Sequence, residues 1–325
     1  MEGRRLRGGT IAAVALALSA VVGAPAAAKA PAGQEDGPYA VGMRSYTFVD
    51  ESRPTSPNGS YPGAPDRTLR TLLLYPAEGS PGAPAVEDAT PLEAKRRGGF
   101  PLVVFSHGFT ANGPVYRFLL LDRLVSEGFV VAAPTFPLSS GGAPGGPRLA
   151  DYVNQPADVS FVLDEVLRLA REDRSLKRTI SGHDVGVAGH SLGAITTLGV
   201  ATHSCCVDPR IDAAVAISGI QLPFPGGSYF STRTPPLMLI HGESDRTVAY
   251  GGSANAYEQA PSPKAFLTLE DAPHTPFFAP WLDPTIRTIT DFFDGYLTND
   301  HRALGRLPAE GNVPGVSSLQ SDLKG

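Results

Sequence analysis

Long hydrophobic runs alternate with segments of mixed polarity from residue 101 onward. Residues 101–105 and 129–133 are continuously apolar, which is typical of strands covered on both faces of a sheet. After such runs, apolar residues recur every three or four positions, as they do on one face of a helix. This alternation predicts an α/β fold, with a mostly parallel twisted sheet, right-handed crossovers and helices on both faces.

The remaining elements follow the same rhythm. Two early strands are predicted at 44–49 and 68–75, and because no helix separates them, they predict an antiparallel N-terminal edge. Further strands are predicted to end at Ala188 and to span 212–217, 236–240 and 265–269. Helices are predicted at 115–126, 156–171, 194–201, 254–259 and 281–296. In the first helix the positions with buried spacing are Phe118, Leu121, Leu124 and Val125.

Composition is that of one globular domain. The chain has 325 residues, of which 42% are hydrophobic and 18% are charged, and its net charge is −5. This charge gives no basic surface for nucleic acid or anionic membranes, and we expect a monomer. The polar stretches at the two ends place the folded domain at 41–299, between a disordered leader at 29–40 and a C-terminal extension at 300–325.

The first 28 residues have the pattern of a secretory signal peptide. Three arginines precede an apolar stretch at 11–23, and small residues up to Ala28 offer a cleavage site. We therefore expect a secreted, extracellular protein with no stable membrane span. An uncleaved anchor is the alternative, and the pair Arg4-Arg5 leaves the choice between general and twin-arginine export open.

The chain has two cysteines, and they are adjacent, Cys205 and Cys206. In an oxidising compartment they can bond only to each other or to another chain. Adjacent Cα atoms lie about 3.8 Å apart, which is below the usual range for a disulfide. Two interpretations therefore stay open, a vicinal disulfide and a pair of buried thiols.

The stretch 189–193 is the strongest candidate for chemistry. Gly189-His190-Ser191-Leu192-Gly193 follows a predicted strand and precedes a predicted helix. Strand, sharp turn and helix are the context in which Gly-x-Ser-x-Gly forms a nucleophile elbow, with Ser191 exposed on a strained turn. The alternative is an ordinary tight turn whose serine caps the next helix.

A nucleophilic serine needs a histidine as base and a carboxylate to orient it. His274 lies in a loop after the last parallel strand, at the sheet edge where ligands bind in such folds. Asp245 follows the strand before it, with Glu243 and Asp271 as alternative acids. The order Ser191, Asp245, His274 is that of the α/β-hydrolases.

The other histidines fit this role less well. His190 lies inside the turn, where its side chain is expected to point away from the reacting groups, and His107 and His241 directly follow strands. The motif-free histidines are expected at the surface: His183, His203 and His301.

Acyl transfer also needs two backbone N–H groups that stabilise the developing oxyanion. Leu192, next after the serine, is expected to supply one of them. Phe109, in the loop after the strand at 102–105, is expected to supply the other, with its ring lining an acyl pocket.

These motifs resemble the α/β-hydrolase superfamily over residues 68–297. The matching residues are His-Gly-Phe at 107–109, Gly-His-Ser-Leu-Gly at 189–193, His-Gly-Glu-Ser-Asp at 241–245, and His274. Residues 100–134 and the elbow more closely resemble secreted bacterial esterases. Those esterases are related to platelet-activating-factor acetylhydrolases, dienelactone hydrolases and polyester-cleaving cutinases.

The position of the acid distinguishes these groups. Asp245 is similar to the acid of cutinases and dienelactone hydrolases, whereas an acetylhydrolase acid would fall near Ser218. Gly219-Ile220 stands where polyester hydrolases carry a tryptophan. The resemblance implies a serine esterase and leaves its ester unnamed.

The expected function is hydrolysis of short-to-medium acyl esters through an acyl-enzyme. The loop at 219–235 is too short for a large lid, so we expect an open cleft bordered by it and by 135–150. Alternatives are a polyester or cutin hydrolase, an acyltransferase, and a binding protein on a hydrolase scaffold. No histidine and carboxylate cluster has metal-ligand spacing, so no metal or cofactor is expected.

Overall fold

A computed structural model describes residues 37–96 and 98–323 of the chain. The predicted signal peptide at 1–28, and residues 29–36 of the predicted leader, lie outside the described residues. No helix within the described ranges is long and apolar enough to cross a membrane.

Within these ranges, ten strands form one sheet in the order β10-β9-β8-β7-β6-β4-β5-β2-β1-β3. Their bounds are β1 Ala40–Asp50, β2 Arg67–Ala77, β3 Val86–Glu87, β4 Phe100–Ser106, β5 Val130–Thr135, β6 Ile180–His190, β7 Ala213–Ile217, β8 Leu237–Gly242, β9 Lys264–Leu269 and β10 Ser317–Asp322. From β5 to β9 neighbouring strands are parallel. The predicted antiparallel N-terminal edge is confirmed, because β2 runs antiparallel to both β1 and β5.

Helices cover both faces, as the alternation predicted. Their bounds are α1 Gly113–Tyr116, α2 Asp122–Ser126, α3 Gln155–Glu172, α4 Leu192–Thr202, α5 Tyr250–Gln259, α6 Leu282–Leu297 and α7 His301–Gly311. A π-helical turn, Arg117–Leu121, joins α1 to α2, and a 3-10 helix, Leu149–Asn154, precedes α3.

The central strands are buried on both faces, which is why their sequences are continuously apolar. Along β4, Leu102 and Val104 pack into the core beneath α3 and α4, while Val103 and Phe105 pack into the core beneath α2 and α6. This alternation follows from the two-residue period of a strand. All eleven residues of α4 are buried, so the helix that follows the elbow is fixed on every side.

The strand register brings the carboxyl ends of the parallel strands to one edge. Ser106 at the end of β4 pairs with Gly189 of β6, and His190 pairs with Ile217 at the end of β7. Gly242 at the end of β8 pairs with Leu269 at the end of β9. The loops that carry the predicted chemistry therefore leave the sheet side by side.

The predicted burial of Phe118 is wrong, because this side chain is 80% exposed. The π-helical turn adds a residue to its turn, and the Asp122 amide bonds to the Arg117 carbonyl five residues back. The register therefore shifts, so that Leu120 and Leu121 face the sheet while the Arg117 guanidinium lies 4.7 Å from the centre of the Phe118 ring.

The predicted C-terminal extension at 300–325 is wrong as far as the described residues reach, because this segment is part of the fold. It forms α7 and then β10, which pairs antiparallel with β9 from Ser317 to Asp322. Leu307 of α7 is fully buried. The physical reason is the outer edge of β9, whose backbone groups would otherwise lack strand partners.

The predicted boundary between the leader and the folded domain, at residue 40, lies too late in the chain. The Gly37 amide donates to Ser126 Oγ and the Tyr39 amide donates to the Ser126 carbonyl, each over 3.1 Å. Residues 37–39 are thus bonded to the end of α2, and Ala40 already begins β1.

Candidate active site

Ser191 occupies a strained turn between β6 and α4. Its φ is +58°, in a region of backbone conformation that residues other than glycine rarely adopt. A Cβ on Gly189 would overlap the carbonyl oxygen of Gly193, and a Cβ on Gly193 would overlap that of Ser106. Both glycines are therefore required by close backbone contact, and the turn has the geometry of a nucleophile elbow.

The structure brings Ser191, His274 and Asp245 together in one hydrogen-bonded line. Ser191 Oγ lies 2.8 Å from His274 Nε2, and His274 Nδ1 lies 2.6 Å from Asp245 Oδ2. Since the carboxylate can only accept, Nδ1–H donates to Asp245 and the lone pair of Nε2 faces the serine hydroxyl. This tautomer allows the imidazole to take the serine proton.

The Asp245 carboxylate is held by four hydrogen bonds. Its Oδ1 accepts from the amides of Thr247 at 2.8 Å and Val248 at 2.9 Å. Its Oδ2 is shared by His274 and by His241, whose Nε2 lies 3.1 Å away.

Burial raises the pKa of this carboxyl, but the hydrogen bonds from the two histidines and from the Val248 amide outweigh it. The net pKa of Asp245 lies well below the usual value of an aspartate, so the group is ionised at neutral pH. The alternative acids Glu243 and Asp271 are exposed and lie outside this hydrogen-bonded line.

The two predicted oxyanion donors lie next to Ser191, one at the start of α4 and the other in the loop after β4. Leu192 is the first residue of α4, so its N–H has no acceptor within the helix. Phe109 follows Gly108, whose position for a Cβ is 3.3 Å from Ser191 Cβ. The neighbouring Thr110 amide is bonded to the Ser139 carbonyl at 2.8 Å, which fixes the loop around Phe109.

An apolar cluster lies beside the serine. Its buried members are Leu192, Ile195 and Phe224. Against them pack Phe109, Tyr152, Val153, Cys206, Ile220, Leu222 and Tyr229. An open cavity of about 430 Å³ borders this cluster at Val153 and Cys206 but does not include the triad. Phe109 thus contributes its ring to an apolar wall, formed mainly by the 3-10 helix and by residues 220–229.

Two buried residues complete the site, the elbow residue His190, for which no chemical role was predicted, and Tyr116, which was not predicted as a site residue. His190, expected to point away from the reacting groups, is buried, and its Nε2 lies 2.8 Å from the carbonyl oxygen of His274. Its Nδ1 lies 2.7 Å from the hydroxyl of Tyr116, a residue of α1. Nothing in the sequence pattern distinguishes Tyr116 from an ordinary core residue.

The expectation that His203 lies at the surface is wrong. Its ring is only 2% exposed and packs against the rings of Phe224 and Tyr229. His183 and His301 are exposed, as predicted. His107 is fully buried between the Gly108 carbonyl and the Phe136 amide, and burial lowers its pKa to about 4.

Cys205 and Cys206 are joined by a disulfide bond in the loop after α4, the first of the two interpretations. Possible ligand atoms of His203 and of the two cysteines lie within 4.8 Å of one another, the one such group among the described residues. Because the sulfurs are bonded to each other, they are not available as thiolate ligands.

Comparison with known families agrees with this geometry. Residues 103–313, nearly two thirds of the chain, match the model of the alpha/beta hydrolase family. Residues 65–140 match that of platelet-activating factor acetylhydrolase, isoform II, over a segment that ends before the elbow. No curated protein matches the chain. The two matches indicate a hydrolase and support esterase activity in general, and the chain belongs to the alpha/beta hydrolase family.

Proposed function

We propose that the protein is a secreted serine esterase that hydrolyses short-to-medium acyl esters through an acyl-enzyme. The observation that carries the proposal is the line from Ser191 Oγ through His274 to Asp245, with contacts of 2.8 and 2.6 Å. Secretion rests on the signal-like pattern of residues 1–28.

In the proposed mechanism, His274 takes the proton of Ser191 as the serine attacks the ester carbonyl. The Leu192 and Phe109 amides stabilise the tetrahedral oxyanion. His274 then protonates the leaving alcohol and afterwards activates the water that releases the acid. Asp245 stays ionised and stabilises the imidazolium formed on the way.

The acyl group is expected to lie against the apolar cluster that contains Phe109 and Phe224. Since the loop after β7 is short and forms part of this wall, an open cleft suits soluble esters better than bulk triglyceride. Activity on nitrophenyl esters should therefore peak at short-to-medium chains and rise little when an emulsion forms. A steep activation by the emulsion would contradict the open cleft.

The decisive variant is Ser191→Ala, which should lower hydrolysis of a nitrophenyl ester at least about 10³-fold with an unchanged melting temperature. Ser175→Ala is the matched control, because this serine is exposed and its hydroxyl bonds to Asp173 and Arg44 and not to the triad, and it should keep the hydrolysis rate of the wild type. A fluorophosphonate should label the wild type and not Ser191→Ala. Wild-type turnover in Ser191→Ala would refute the mechanism.

The same assays separate the alternatives. A polyester film tests the cutin-type alternative, because release of soluble acids from the film needs an accessible surface site. Added alcohols test the acyltransferase alternative, since a transferase forms new esters faster than free acid. Absence of hydrolysis and of labelling at Ser191 would leave a binding protein.

A further inference from the structure

Three loops of the site are joined by one chain of buried hydrogen bonds. The Gly108 amide lies 3.1 Å from the Tyr116 hydroxyl oxygen, which lies 2.7 Å from His190 Nδ1. His190 Nε2 lies 2.8 Å from the carbonyl oxygen of His274. Tyr116 is 4% exposed and His190 is 3% exposed.

The two ends of this chain determine where its protons lie. The Gly108 amide can only donate, so the Tyr116 oxygen accepts from it and donates its own proton to His190 Nδ1. The His274 carbonyl can only accept, so His190 donates through Nε2–H. Every donor then has an acceptor, and His190 is neutral in one defined tautomer.

The surroundings keep this tautomer in place. Burial first, and then the nearby ring of His274, lower the pKa of His190 to about 3. The Phe277 ring lies 5.0 Å from that of His190 and 5.9 Å from that of Tyr116, and the Phe105 ring covers Tyr116 at 4.8 Å. With these rings around it, water cannot readily replace a missing partner, so a broken link leaves a buried polar group unpaired.

Three members of this hydrogen-bond chain are next to, or belong to, a proposed catalytic group. Gly108 precedes Phe109, the proposed oxyanion donor, and His190 precedes the nucleophile Ser191. The third contact is made by the backbone of His274, the proposed base, whose own side chain is 18% exposed.

We propose that Tyr116 and His190 are positioning residues, which hold the oxyanion loop, the serine turn and the base in their reactive arrangement. This role rests on the proposed esterase function and extends it to two side chains that do not touch the substrate. Displacement of a catalytic group by about 1 Å can cost about 100-fold in rate, so such contacts should affect kcat more than KM.

The two amide variants of His190 distinguish the links. In His190→Gln the side-chain amide can reach the position of Nε2 and keep the bond to the His274 carbonyl. In His190→Asn it reaches only the position of Nδ1 and keeps Tyr116 alone. We expect His190→Gln to retain at least about tenfold more kcat than His190→Asn, with KM within twofold of wild type in both.

Tyr116→Phe removes the middle of the chain and should lower kcat about 10- to 100-fold at unchanged KM. Its matched control is Tyr75→Phe, because Tyr75 is also fully buried and its hydroxyl donates to the Ala89 carbonyl at 2.9 Å, away from the site. Both variants should lose similar stability in thermal melts, and only Tyr116→Phe should lose kcat.

Equal kcat in Tyr116→Phe and Tyr75→Phe would overturn the positioning role. So would a kcat within about twofold of wild type in both His190 variants, and this pair decides alone if Tyr116→Phe does not fold. A failure of the esterase proposal looks different, because hydrolysis by the wild type would then equal that of Ser191→Ala. That result would overturn both proposals, whereas the others leave the serine mechanism intact.

Discussion

At the residue scale, the Asp245 carboxylate combines a structural and a chemical purpose. One oxygen closes its own loop through the amides of Thr247 and Val248, and the other receives two histidines. His241, the second of these, is itself fixed by a 2.7 Å contact from Nδ1 to the Ser253 hydroxyl. The carboxylate therefore cannot rotate without breaking several bonds, and it holds His274 in one orientation.

Asp245→Asn should lower kcat on a nitrophenyl ester about 10⁴-fold at neutral pH, because an amide no longer secures the required tautomer of His274. The two alternative acids, Glu243 and Asp271, are exposed carboxylates and serve as matched controls. Glu243→Gln and Asp271→Asn should keep kcat within about twofold of wild type. If either control variant lost most of its kcat while Asp245→Asn stayed active, the catalytic carboxylate would be that residue and not Asp245.

The site residues that lie just after the ends of strands are the ones that the sequence predicts. Ser191, Asp245 and His274 each come just after a strand of the parallel sheet, so topology alone predicts that they converge. Tyr116 was not predicted, because it lies in a helix, α1, and not at the end of a strand. Its side-chain direction depends on the helical segment that contains the π turn, which hydrophobic spacing does not reveal.

At the element scale, α7 and β10 are the elements that the hydrophobic pattern does not predict. Strands such as β4 and β5 are evident because burial on both faces demands an unbroken apolar run. In α7 only Ala303, Leu307 and Gly311 are buried, and Pro308 interrupts the helix pattern. β10 is an edge strand whose stabilisation comes from backbone bonds to β9, and such bonds leave little trace in side-chain composition.

Two substitutions within α7 test whether it belongs to the fold. Leu307→Ala should lower the free energy of unfolding by about 2–5 kcal/mol, because it removes a fully buried side chain. Gly305→Ala should raise it by about 0.5–1 kcal/mol, because an added methyl meets open space and the helix loses a flexible residue. Urea unfolding measures both. A detached tail would leave both values unchanged.

At the scale of the whole molecule, two buried neutral histidines make stability depend on pH. Burial lowers the pKa of His107 to about 4 and contributes most to lowering that of His190 to about 3. Below pH 6.5 the unfolded chain takes up protons at these positions and the folded chain does not. Stability contributed by the neutral rings is therefore complete above pH 6.5 and falls as the pH drops towards 4.

Each such histidine should cost about 1.4 kcal/mol of unfolding free energy per pH unit in this window. Between pH 6.5 and 4.5 the free energy of unfolding of His107→Gln should therefore fall less steeply than that of the wild type, by about 1.4 kcal/mol per pH unit. Urea unfolding at several pH values measures this slope. The exposed His183→Gln is the control and should keep the wild-type slope. Other groups that titrate in this range contribute equally to all the variants, so their contributions cancel in the comparison. Asp294 is one of them, since burial raises its pKa to about 6. Equal slopes in all three proteins would contradict the prediction.

The pairing of β10 with β9 also bears on how the chain folds during synthesis. Lys264–Leu269 leaves the ribosome well before Ser317–Asp322, and until then the outer edge of β9 has no strand partner. An open edge can pair with a neighbouring chain. The sheet can be completed only after residue 322 has been synthesised. A chain cut short near residue 300 would therefore contain the serine turn and still present an open β9 edge that favours aggregation.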